Sequence, residues 1–106
     1  MTMRAEKQRR LEAAGWRRGD AREFLGLTDD EVAYVELRLK LARALKARRA
    51  ARGLSQVELA KVVSSSQSRV AKMEAGDPGV SVDLLIRSLL ALGTSNRELG
   101  RMISGP

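Results

Sequence analysis

The chain has 106 residues, 43% of them hydrophobic and 31% charged, and carries a formal net charge of +7, which fits one small domain with a short extension. It contains no cysteine and no histidine, which excludes a disulfide scaffold, a zinc finger and any Cys-His or Ser-His catalytic pair. No apolar run approaches the length of a membrane span and the charged N-terminus lacks an apolar signal core, so a soluble cytoplasmic protein is expected.

Helix signals recur along the chain, and alternating β-branched runs are nearly absent. Residues 5–13 form a charged, alanine-containing stretch ending before Gly15. The segment from Trp16 to Leu27 is punctuated by Gly19 and Gly26 and reads as a loop or short helix. Thr28 to Glu31 fits a capping box, in which the Thr oxygen accepts from the third helical amide and Glu31 reaches back. The helix it opens runs roughly from Asp29 to Arg52, with Leu37, Leu41 and Leu45 on one stripe, and Gly53 ends it.

Ser55 to Glu58 is a second capping box, followed by Val57, Leu59, Ala60 and Val63 as the apolar positions. Three serines, Ser64 to Ser66, break that helix and supply a new N-cap. Gln67 to Ala75 forms the next helix, with Val70 and Met73 inward. Gly76-Asp77-Pro78-Gly79 is a turn. Ser81 caps a fourth helix, whose Leu84, Leu85, Leu89, Leu90 and Leu92 are expected to face the core, and Gly93 closes it. Ser95 to Glu98 is a third capping box, opening a short last helix with Leu99, Met102 and Ile103.

The charge is unevenly spread. Residues 38–72 carry ten basic side chains and one acid, Glu58, for a net +9, whereas residues 1–37 and 73–106 each sum to −1. So local an excess suits a polyanionic partner. The plainer reading is a solvated helical face. An anionic membrane is less suited, because the basic stretch lacks aromatic anchors. The acidic run Asp29-Asp30-Glu31 suits a helix start better than a metal site, and no Lys or Ser stands in a recognisable catalytic context. No enzyme activity, cofactor or metal is expected.

Two short helices, 55–63 and 67–75, joined by a three-serine turn have the layout of a helix-turn-helix. In such a unit the first helix crosses the DNA backbone and the second enters the major groove. Leu59, Ala60, Val63, Val70 and Met73 would form the helix crossing. Ser66, Gln67, Ser68, Arg69 and Lys72 would form the outward face. An ordinary helical hairpin is the plainer alternative.

The residues Gly53-Leu-Ser-Gln56, Leu59-Ala60, and Ser66-Gln-Ser-Arg-Val-Ala-Lys-Met-Glu74-Ala-Gly76 resemble the Xre family of helix-turn-helix regulators, which includes phage repressors, Cro proteins and many bacterial antitoxins. The resemblance covers about residues 38–104 and implies an all-α, repressor-like five-helix bundle. It divides the chain into an N-terminal extension, 1–30, and a helix-turn-helix domain, 31–106. Many members place a glycine in the turn where this chain has Ser64 and Ser65, and serine is less at ease in a left-handed conformation.

The resemblance also implies roles. Gln56 would open the first helix and touch a phosphate. Gln67 would read a base, since its amide can pair bidentately with adenine. Ser68 and Lys72 would share that face, Lys72 reaching guanine or a phosphate. Ser66 would cap the helix and donate its hydroxyl to a phosphate. Arg69 would grip the DNA backbone, while Arg43, Lys46, Arg48 and Lys61 would add positive field. Arg49 and Glu74 match an ion pair tying the first helix to the end of the recognition helix.

The implied function is a sequence-specific regulator of double-stranded DNA, a homodimeric repressor. The alternative is an antitoxin that binds a toxin protein and represses its own operon. Leu99, Met102 and Ile103 are one candidate dimer seam; Trp16 and Phe24 are the other, and either set could instead cap its own monomer.

Overall fold

The computed structural model describes residues 26–105. These form five helices: α1 (Asp29–Ala51), α2 (Gln56–Val62), α3 (Gln67–Glu74), α4 (Val82–Ala91) and α5 (Asn96–Ser104). No strand occurs among the described residues, and the all-α architecture is the expected one. The chain divides into two units between Leu37 and Arg38, inside α1. The described part of the first unit is residues 26–37. The expectations for residues 5–13, Trp16 and Phe24, and nearly all of the extension, lie outside the described residues.

Local chemistry sets each helix start. The Thr28 amide donates to Glu31 at 3.1 Å and the Glu31 amide donates to Thr28 Oγ1 at 3.3 Å. The same reciprocal box closes at Ser55–Glu58 and Ser95–Glu98. Ser66 and Ser81 cap α3 and α4 by accepting from the Arg69 and Leu84 amides. Each oxygen satisfies a backbone donor that the first helical turn leaves without a partner.

The ends of α1 to α4 share one geometry. Gly53 donates to the Ala50 carbonyl and Leu54 to the Arg49 carbonyl, with Gly53 at φ +68°. This paired closure is the Schellman motif, which requires a left-handed residue just past the helix. It recurs at Gly76 and Gly93. At the end of α2 the position falls to Ser64, whose amide donates to Lys61 while that of Ser65 donates to Ala60. Ser64 has φ +54°, and it is the one non-glycine residue at positive φ among the described residues. The helix-turn-helix turn is therefore built on a strained serine.

The core of the second unit draws on every helix. Leu41, Leu45, Leu59, Val70, Met73, Leu85, Leu89, Leu92 and Leu99 are buried. Ser88, buried in α4, donates to the Met73 sulfur of α3 at 3.5 Å. In the first unit Leu27, Val32 and Val35 are buried. Two apolar positions depart from expectation. Leu90 is 43% exposed and Val57 51% exposed, because α4 and α2 each bury only one stripe and these two side chains lie off it. Leu99, one of the candidate seam residues, is buried in its own chain, the alternative reading for that position.

The basic side chains of α1, with Arg52 just past its end, hold the other elements in place. Arg38, only 4% exposed, donates to the carbonyl of Asp77 at 3.3 Å and to that of Val80. Lys40 donates to the Ile103 carbonyl near the end of α5 at 3.0 Å. Arg48 donates to Glu98 at 3.0 Å and to the Gly93 carbonyl at 3.2 Å. Arg52 donates to the Leu92 carbonyl at 2.6 Å. The bonds of Lys40, Arg48 and Arg52 to carbonyls place positive charge at the C-terminal ends of α4 and α5, where carbonyls lack helical partners and the helix dipole is negative.

Candidate nucleic-acid interface

The α2–turn–α3 unit brings the expected residues onto neighbouring positions. In α3, Val70 and Met73 are buried while Gln67, Ser68, Arg69 and Lys72 are exposed. That division follows from the helical repeat, which turns every third or fourth residue inward. Ser66, the N-cap, lies 3.3 Å from the Ser68 hydroxyl. A recess of 230 Å³ beside α3 is lined by Ser66, Ser68, Arg69, Lys72, Asp77, Gly79 and Val80. Asp77 does not stand open in it, since its Oδ1 accepts from the Gly79 amide at 2.7 Å. Arg38 grips the carbonyls at both ends of this loop.

A chain of polar contacts runs inward from the exposed face. Gln67 Nε2 donates to Gln56 Oε1 at 2.7 Å, and Gln56 Nε2 donates to Glu74 Oε1 at 3.1 Å. Glu74 in turn accepts from Arg49, Nε to Oε2 at 2.5 Å and Nη2 to Oε1 at 3.0 Å. Arg49 also donates to the Leu54 carbonyl at 2.8 Å. One guanidinium thus ties α1 to both the end of α3 and the loop before α2. The Glu74 side chain is 3% exposed and that of Arg49 15%. Burial works to raise the Glu74 pKa. The hydrogen bonds from Arg49 and Gln56, with the nearby positive charge, outweigh it and hold the carboxyl below its ordinary value. Its bond to Glu74 raises Arg49 further. A paired, permanently charged contact of this kind is a structural tie.

Residues 40–102 match the family described as helix-turn-helix domain. The chain belongs to the helix-turn-helix domain family. The match covers more than half of the chain and contains every expected site residue. No curated protein and no solved structure matches this chain. Among the described residues, no helix is long and apolar enough to cross a membrane.

Sequence reasoning treated Arg48 as part of the field, whereas it pairs with Glu98 and the Gly93 carbonyl. It gave no role to Arg38, Lys40 or Arg52. No local signal distinguishes these cations from the exposed Arg43, Lys46 and Lys61, because their partners lie roughly 40 to 60 residues away. Gln56 was expected to face a phosphate, and both ends of its amide are engaged with Gln67 and Glu74.

Proposed function

We propose that this chain is a sequence-specific regulator of double-stranded DNA, a repressor of the Xre type that reads the major groove with α3. The observation that carries the reading is the helix-turn-helix with Gln67, Ser68, Arg69 and Lys72 exposed on its second helix. Gln67 is the base reader, its amide matching the donor and acceptor of adenine. Arg69 and Lys72, with the hydroxyls of Ser66 and Ser68, hold backbone phosphates, and exposed Arg43, Lys46 and Lys61 add the long-range field. Gln56 acts through Gln67. The work is binding, without catalysis, and it takes place in the cytoplasm.

A single recognition helix reads only a few base pairs, which is little discrimination against a genome. The active form is a homodimer, with Met102 and exposed Ile103 at its seam. Selection of bound sites from random duplex DNA tests the reading. It should return an inverted repeat with half-sites about 10 base pairs apart. With roughly 6–10 phosphate contacts, affinity for that site should fall ~10³–10⁵-fold between ~50 and ~200 mM salt. Recovery of no common site, or an affinity flat across that salt range, refutes it.

A further inference from the structure

We propose that Glu74 is a positioning residue for base recognition: its charge fixes which end of the Gln67 amide faces the DNA. The inference rests on the reading of Gln67 as a base reader and goes beyond the ion pair's structural role.

An ionised carboxylate only accepts hydrogen bonds. Glu74 is buried, paired with Arg49, and held ionised below its ordinary pKa. The end of the Gln56 amide that faces it must therefore be Nε2, which donates at 3.1 Å. That leaves Gln56 Oε1 pointing to Gln67. An oxygen can only accept, so Gln67 must turn its own Nε2 inward, where it donates at 2.7 Å. One N–H of Gln67 is consumed. On this exposed side chain, its Oε1 and the second N–H are left for a base.

That pair has one polarity. The oxygen suits the adenine N6 amino group, and the remaining N–H suits adenine N7. If the amide were reversed, its NH₂ would stand where adenine also presents a donor. Guanine presents the acceptor O6 there instead. A free glutamine amide can rotate between the two states; this one is set by a negative charge two hydrogen bonds away. The polarity is thus determined by Glu74, with Gln56 as the connecting element.

The test is selection of bound sites by the full chain and by four variants, read as the adenine-over-guanine ratio at the position that Gln67→Ala makes indifferent. A good bidentate contact discriminates by roughly 5–150-fold. Glu74→Gln keeps the shape but can present either a donor or an acceptor to Gln56. Gln56→Leu cuts the connection while leaving both Arg49–Glu74 bonds in place, and carries the test if Glu74→Gln does not fold. Both should lower the ratio at least several-fold, with guanine entering the site. Arg49→Lys weakens the ion pair and the fold but keeps the carboxylate on Gln56, so its ratio should match that of the unaltered protein. A full ratio in Gln56→Leu, or in folded Glu74→Gln, overturns the proposal, as does an equal loss in Arg49→Lys. If Gln67→Ala changes no position at all, the reading of Gln67 itself falls, and the dependence on Glu74 with it.

Discussion

Removing the Arg49–Glu74 tie from one side leaves a charge buried without its partner. Arg49→Ala strands a carboxylate that is 3% exposed, with Gln56 as its remaining side-chain donor. Breaking a buried pair in this way costs ~3–5 kcal/mol. Arg49 is itself 15% exposed, so the pair keeps some contact with water and the lower end, ~3 kcal/mol, is expected. In a domain of this size each kcal/mol moves Tm by roughly 4–8 °C, so the melt should fall by about 12–24 °C. Glu74→Ala should cost less, because the freed guanidinium keeps the Leu54 carbonyl and can turn toward solvent. Gln67→Ala, at an exposed position, should stay within about 0.5 kcal/mol of the unaltered protein.

The assay is urea and thermal unfolding of both single variants and the double variant. Side chains in direct contact should show a coupling of about 0.5–3 kcal/mol. A pH signature separates charge from packing. The Glu74 pKa is depressed in the folded protein, so the stability it contributes is present above the ordinary value near ~4.3 and is lost as pH falls through the folded value. In Arg49→Ala the opposing cation is gone and burial raises that pKa, so acid relieves the penalty. The gap between the two proteins should narrow as pH falls from 7 toward about 4. Losses that simply add, or a gap that does not change with pH, would refute the electrostatic tie.

Ser64→Gly should stabilise the protein by about 0.5–1 kcal/mol: it removes a left-handed penalty of ~1–2 kcal/mol and gives back part of it as chain entropy; a lower urea midpoint would count against strain in the turn. Glu58 and Glu98 are also held below their ordinary pKa, each first by the backbone bond to its cap serine; with Glu74, they should make stability decline as pH drops below ~4.3, and a flat acid limb would contradict this. Met102→Asp should convert the proposed dimer to monomer by light scattering and abolish preference for the inverted repeat, whereas a variant that stays dimeric and binds normally clears α5 of that role.

Helix starts and ends were legible in the sequence because their chemistry is local. Thr28, Ser55, Ser66, Ser81 and Ser95 find their donors within three residues, so a cap pattern carries its own partner. The same holds for Gly53, Gly76 and Gly93, where the closing bonds span at most five residues. The inward stripe of α3 follows from the helical period alone. Which basic residues are engaged within the fold was not legible. Arg38, Arg48 and Arg52 look like Arg43 in the sequence, and their partners come from loops and helix ends that only folding brings near. The same distance hid the outward turn of Leu90. It also hid the contacts of Gln56 with Gln67 and Glu74, 11 and 18 residues away. Sequence determines what each segment can become, since caps and periods act within a turn or two. Tertiary structure decides how a charge or an amide is used, because that depends on the partner packed against it.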